Sequence, residues 1–460
     1  MPPAETSLRA ALRASWRLNQ RRLWGPRRAL KLADVAGGTA FGWRLGALAG
    51  RSVLLRTQST LAAAIALVEL DGFARRIVLS PPDLKDADLP GVAAAAGVEA
   101  VAFDESTPAI EALGLPLAPL GPSFEPFPAI AALAAPTEWV MFTSGTTGAP
   151  KMVIHTLDGL TGAIKPPAPG AAPPVWGTLY DIRRYGGLQI LLRALLGEGS
   201  MVLTEPGEPL AELLARLGRH GVTHLTGTPS HWRRVLMSPG NAAIAPGYVR
   251  LSGEIADQAV LDALKARFPA AAVGHAYAST EAGVGFEVND GLEGFPASFV
   301  DSARGDVELR VVGGTLRLRS RRTATAYVNA GAPALADAEG FVDSGDMVER
   351  RGDRFHFVGR RGGIINVGGL KVHPEEIEAV INRHPAVRAA LVKGRRNPIT
   401  GAIVVAEVVL AGAANDEAKL KAEILSACRR DLAPHKVPAG LRFVPALAMT
   451  AGGKLERVGA

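Results

Sequence analysis

Cysteine is nearly missing. Cys428 is the one cysteine in 460 residues, which excludes an internal disulfide and suits a reducing, cytoplasmic setting. Long apolar runs are missing too: none reaches the roughly 18 residues of a membrane span. The N-terminus has no apolar core of a secretory signal. Excess charge is missing from most of the chain. Residues 1–31 hold eight basic residues against Glu5, and the remainder has 43 basic and 43 acidic residues. A nucleic-acid footprint spread over the fold is thereby excluded.

What is present is a soluble composition, 48% apolar and 21% charged, in a chain long enough for two or three domains. The basic excess sits at Arg9, Arg13, Arg17 and Arg21, every fourth residue, with Leu8, Leu12 and Trp16 among them. That spacing predicts a basic amphipathic helix. It could make weak contact with an anionic membrane surface, pack its leucines on the body, or serve as a transit peptide.

From residue 50 to about 103, and again from about 188 to 276, apolar strand-type runs alternate with helical ones. Both stretches predict parallel sheets with helices on their faces. Residues 104–138 and the proline-rich Lys165–Val175 read as connections. Between 303 and 358 the period drops to two around Gly313-Gly314, the mark of hairpins. The expected fold is therefore α/β: a large domain, 1–359, of two doubly wound α/β subdomains plus a β-rich part at 303–358. A hinge at 360–363 and a small α+β domain at 364–460 follow, ending in a Gly-rich tail.

Residues 143–151 read Thr143, Ser144, Gly145, Thr146, Thr147, Gly148, Ala149, Pro150, Lys151, between two strand-type runs. Glycines expose backbone N–H groups, hydroxyls add donors and lysine adds charge, so the loop suits a phosphate chain. The Gly-Lys-Ser/Thr ending of a Walker loop is absent. A polar hairpin is the plain alternative.

Five ordered segments resemble one family. TSGTTGAPK at 143–151, Tyr277-Ala278-Ser279-Thr280-Glu281, Asp343-Ser344-Gly345-Asp346, Gly359-Arg360 with Gly368 to Glu378, and Gly452-Gly453-Lys454-Leu455-Glu456-Arg457 resemble the signatures of adenylate-forming enzymes. That family holds acyl- and aryl-CoA ligases, peptide-synthetase adenylation domains and luciferases. Residues 1–135 match it only loosely. The resemblance implies ATP-dependent activation of a small carboxylic acid to an acyl-adenylate, then transfer to the thiol of coenzyme A. A carrier-protein phosphopantetheine is the alternative acceptor. A nucleotide-binding protein without catalysis is a further alternative, opposed by the intact Lys454, Glu281 and Asp346.

The resemblance also assigns roles. The 143–151 loop would hold the β,γ-phosphates, Thr280 the α-phosphate and Glu281 Mg²⁺. Tyr277 would lie against adenine, opposite Ser252, Gly253 and Glu254. Asp346 and Arg360 would hold the ribose, and Lys454 would bridge carboxylate and α-phosphate. Gly362 and Gly363 stand where the family has an acidic or lysine hinge residue. Gly368 and Gly369 would border a pantetheine channel. Tyr180, Asp181, Gly227 and His275, with Thr226 and Thr228 nearby, are the candidate substrate pocket. Asp181 could pair with a substrate ammonium, as in amino-acid-activating domains, or with Arg183 or Arg184. Ala448-Met449-Thr450 departs from the family's approach to the lysine.

Overall fold

A computed structural model describes residues 7–127, 135–143, 151–165, 170–328, 331, 334–398, 400–413, 416–450 and 453–456, without the side chains of 303 and 304. Ser144, Gly145, Thr146, Thr147 and Gly148 of the phosphate-type loop lie outside the described residues, as do Gly452 and Arg457. The protein is α/β, as its alternating pattern predicts.

Two large sheets carry the body. The first runs Ala326–Tyr327, Met152–Thr156, Glu138–Phe142, Arg76–Leu79, Ser52–Arg56, Ala100–Phe103, Leu117–Pro119. Its last five strands are parallel, and two antiparallel strands close the other edge. The stretch 104–138, expected as a plain connection, thus supplies an edge strand and the short helix Pro108–Glu111.

The second sheet runs Gly283–Val288, Ala272–Ser279, Tyr248–Ser252, His224–Gly227, Val175–Thr178, Ser200–Val202, Arg22–Trp24, Ala29–Lys31. Six neighbouring strands, from Ala272–Ser279 to Arg22–Trp24, are parallel. Helix Thr60–Leu70 carries Ala, Leu and Ile on every face and is buried nearly all round. It belongs to a core shared by side chains of both sheets, such as Val53, Ile77, Trp139, Leu188 and Met201. An antiparallel six-stranded sheet from Phe295 to Arg360 follows. The C-terminal part packs helices Pro374–Asn382 and Glu417–Asp431 on a three-stranded sheet, with Ile377, Val392, Val408, Ile424 and Cys428 in its own cluster.

The N-terminus corrects one expectation. The helix is only Leu8–Arg13, and a hairpin, Arg22–Trp24 with Ala29–Lys31, replaces its predicted continuation. Leu8 and Leu12 are buried. Arg9 and Arg13 do not form a membrane-facing stripe. They donate to Val35, Ala36 and Gly38 carbonyls at the end of helix Leu32–Gly37, and Arg9 stacks on Phe127. Arg21 donates to Ala194, Leu195 and Gly199 carbonyls at the end of helix Tyr185–Leu196. The last carbonyls of a helix lack intrahelical donors and carry the negative end of its dipole, so a buried guanidinium is stabilised there. No described helix is long and apolar enough to cross a membrane.

The tail is corrected as well. Residues 448–450 pair with 453–456: Met449 bridges Leu455, Thr450 N donates to the Lys454 carbonyl at 2.8 Å, and Glu456 N to the Ala448 carbonyl at 2.9 Å.

Candidate functional site

Parallel α/β sheets bind ligands beyond the carboxyl ends of their strands, where backbone groups and loops are free to face a ligand. Four neighbouring strands of the second sheet end together here. Tyr180 follows Val175–Thr178, Gly227 closes His224–Gly227, Ser252 closes Tyr248–Ser252, and Thr280 and Glu281 follow Ala272–Ser279. Tyr180 donates its hydroxyl to the Ser252 carbonyl at 2.8 Å, tying two of these loops together. Burial pushes that phenol above its ordinary range, so it stays a neutral donor.

Helix Pro229–Met237 starts at the centre of this edge. Thr228 is its N-cap, Pro229 fits the first turn, and His231 completes a capping box by accepting from Thr228 N through Nδ1 at 3.2 Å. Burial, then the Arg234 charge, holds the imidazole down to about 4, so the ring is neutral. Its Nε2 side faces Gly453, and Tyr180 meets it edge-on at 5.8 Å.

The tail hairpin lands on this helix start. The Gly453 carbonyl accepts from Thr228 Oγ1 at 2.7 Å, and Leu455 N donates to Glu254 Oε1 at 2.9 Å. Between them the Lys454 side chain runs over Gly253, whose missing Cβ would lie 3.4 Å from Lys454 Cε and 3.9 Å from Nζ. Gly253 has φ +86°, a left-handed backbone that suits glycine. Burial pulls the Lys454 ammonium below the usual lysine range. Glu254 opposes that shift, Arg360 adds to it, and Asp346 and Arg184 act in the same two senses more weakly.

A second cluster stands beside it. Asp346, on strand Val342–Arg351, accepts from Tyr277 Oη at 2.5 Å and from Arg360 Nε at 2.8 Å. The Tyr277 ring packs nearly parallel to Phe286 and Phe357, so it is a fixed wall. Thr280 is held from behind: its carbonyl takes His155 Nε2 at 2.7 Å. His155 lies on Met152–Thr156, the strand that leaves the phosphate-type loop, and burial lowers it to about 4. Thr143 N donates to the Lys151 carbonyl at 2.9 Å, closing the base of that loop as a hairpin. Burial, and then the Glu281 charge, raise the Tyr327 phenol above its ordinary range.

Lys454, Gly253, Glu254, Asp346, Arg360 and Tyr277 are thus brought together, with Ser252 and Tyr180 adjoining. Other candidates are accounted for elsewhere. The Asp181 carboxylate is taken by Arg183, at 2.6 Å, whose side chain is fully buried and also reaches the Thr57 and Gln58 carbonyls. That is the structural alternative for Asp181. His275 Nε2 bonds the Leu292 carbonyl at 3.0 Å, among Asp290, Arg354 and Arg250. Gly368 and Gly369, φ +58° and +85°, form the exposed two-residue turn between Ile365–Val367 and Leu370–Val372. Turn geometry explains both. Gly362 and Gly363 lie exposed in a single 3-10 turn, where added Cβ atoms would meet nothing within 4 Å. The roles of Ser230, His231 and His155 are not read from the sequence. The Thr228-Pro229-Ser230-His231 order does carry the cap-then-proline signal of a helix start.

Residues 86–318 match the AMP-binding enzyme model, and residues 376–454 match the AMP-binding enzyme C-terminal domain.

The chain belongs to the AMP-binding enzyme family.

This AMP-binding enzyme is 28% identical over 343 residues to acyl-CoA ligase ppsA of Aspergillus oryzae, across 68% of this chain and 60% of that protein. It is 29% identical over 344 residues to a 2-succinylbenzoate–CoA ligase of Geobacillus kaustophilus, across 69% and 67%. The match thus spans less than two thirds of the Aspergillus relative. Among solved structures, an anthranilate CoA ligase, AuaEII, in complex with anthranoyl-AMP superimposes with a TM-score of 0.82 at 18% identity, covering 98% of this chain and 96% of that one. The amide bond synthetase McbA of Marinactinospora thermotolerans gives 0.79 at 21%, covering 99% and 98%. These structures establish the adenylate-forming fold, with its large N-terminal and small C-terminal parts.

Proposed function

We propose that the protein couples ATP to a small carboxylic acid, releasing pyrophosphate, and then passes the acyl group to the thiol of coenzyme A. The observation that carries this reading is the delivery of Lys454 by the C-terminal hairpin to Gly253 and Glu254, next to the Asp346–Arg360–Tyr277 cluster. A carboxylate attacking an α-phosphate gathers negative charge, and a preplaced ammonium stabilises it with little reorganisation. Asp346 and Arg360 offer an acceptor and a donor suited to ribose hydroxyls. Ser252, Gly253 and Tyr277 supply facing walls for the base. Thr280, backed by His155, would steady the α-phosphate, and residues 143–151 the departing phosphates.

Among the described residues no three His, Cys, Asp or Glu form a cage for a metal. A lone carboxylate such as Glu281 fits Mg²⁺, which keeps waters and is carried largely by phosphate oxygens. When bound, the ion offsets phosphate charge. Gly362 and Gly363, unneeded by local packing, suit a hinge at 360–363 that swings residues 364–460 between the two half-reactions. The relatives' names favour coenzyme A as acceptor over a carrier protein.

The test is pyrophosphate release against a panel of carboxylates, with coenzyme A, with a phosphopantetheinylated carrier, and with neither. Release that depends on one carboxylate class, with a CoA thioester and AMP as products, is expected. Absence of carboxylate-dependent release across the panel overturns the reading.

A further inference from the structure

Lys454 is gripped through the backbone on both sides. The carbonyl before it, of Gly453, accepts from Thr228 Oγ1 at 2.7 Å, and the amide after it, of Leu455, donates to Glu254 Oε1 at 2.9 Å. The other oxygen, Glu254 Oε2, accepts from Ser230 N at 2.9 Å. Both grips are therefore anchored on the first turn of helix Pro229–Met237, one through its N-cap hydroxyl and one through a carboxylate held at its positive end. We propose that Glu254, together with Thr228, is the latch that docks the lysine hairpin for adenylation and releases it for thioester transfer. In this assignment Glu254 is a positioning residue, acting through the backbone of Lys454. The inference rests on the two-step reaction proposed above.

The chemistry of the contact suits a latch. Hydrogen bonds exchange with water at small net cost, so a docked hairpin can leave. On release, Ser230 N keeps Glu254 aimed, and the grip stays ready for the hairpin's return. The carboxylate is needed because both its oxygens accept, from donors in two different parts of the fold. An amide has one acceptor oxygen, and its NH₂ would face an N–H group.

The test uses the full-length protein and the variants Glu254→Gln, Thr228→Val and Thr228→Ser. ATP–pyrophosphate exchange is compared with thioester formation from supplied acyl-adenylate. Hydrogen–deuterium exchange of the peptide bearing Leu455 is followed alongside that of helix Pro229–Met237. Glu254→Gln should lower pyrophosphate exchange about tenfold to a hundredfold, the cost of losing a charged hydrogen bond. Thioester formation should persist, Leu455 protection should fall, and the helix should stay protected. Thr228→Val should act in the same sense, and Thr228→Ser, which keeps the hydroxyl, should rescue it. Equal loss of both half-reactions, or Leu455 protection unchanged in Glu254→Gln, overturns the latch. If the unaltered protein shows no carboxylate-dependent exchange, the reaction assignment fails, and the protection of Leu455 still decides whether Glu254 holds the hairpin.

Discussion

Gly453→Ala should disable adenylation while leaving the fold intact. Gly453 has φ +72°, where an L-residue costs roughly 1–2 kcal/mol. The larger penalty is steric. A Cβ there would lie inside 3.0 Å of Cε1, Nε2 and Cδ2 of His231. That ring cannot swing away freely, because Nδ1 completes the capping box and Tyr180 stands at its edge. The hairpin must move instead, by about 1 Å, and a displacement of that size from a productive geometry costs on the order of 10²-fold. Pyrophosphate exchange of Gly453→Ala is therefore expected to drop about a hundredfold, with thermal melting little changed because the hairpin is peripheral to the cores. His231→Gly in the same chain removes the obstructing ring and should restore much of the exchange. Full activity of Gly453→Ala refutes the reasoning, and so does a double variant no better than the single one.

Four further outcomes are expected. Lys454→Ala should cripple adenylate formation and still convert supplied acyl-adenylate to thioester, as read by separate half-reaction assays; equal loss would point to misfolding. Tyr277→Phe removes a hydrogen bond to the Asp346 carboxylate and should raise the KM for ATP about tenfold, with kcat less affected. Asp181→Asn leaves Arg183 buried without its partner and should destabilise the protein by about 3–5 kcal/mol in chemical denaturation, without any switch toward or away from amino acids in the exchange assay. His155 and His231 are held neutral, down to about 4, against an unfolded value of 6.5. The stability this confers is complete above pH 6.5 and is lost as pH falls toward 4, by at most about 3 kcal/mol for each. Asp71, raised to about 6 by burial, works in the opposite sense below pH 6. Denaturation at pH 7 and pH 5 should give a smaller difference for His155→Phe than for the unaltered chain.

The α/β alternation and the ordered motifs are legible because they are local: a period, a turn residue, a short signature. Tyr277, Asp346 and Arg360 can be named from such motifs, and they meet in space. What escapes is set by partners far along the chain. Leu455 and Glu254 are 201 positions apart, so a Gly-rich terminal stretch reads as a loose tail until its acceptor is known. Arg9 and Arg21 read as solvated because arginine usually is; only the ends of helices Leu32–Gly37 and Tyr185–Leu196 make burial favourable. Asp181 shows the reverse case. Its neighbour Arg183 is in plain view, yet the choice between that partner and a ligand depends on Thr57 and Gln58, which complete the guanidinium's bonding. His155 carries no motif, and its bond to Thr280 links a strand of the first sheet to the turn that follows a strand of the second.

The N-terminal hairpin has a consequence for how the molecule comes apart. Arg22–Trp24 pairs with Ser200–Val202 in the second sheet, while Leu8 N bonds Asp71, next to the helix that packs on the first. Ser15 meets Glu198 at the end of Tyr185–Leu196, and Arg9 closes Leu32–Gly37. The first two dozen described residues therefore act as a strap across both layers. Neither layer can melt without tearing it, so the large body should lose structure in one cooperative step. The C-terminal part, with a core of its own, is free to unfold at a separate temperature.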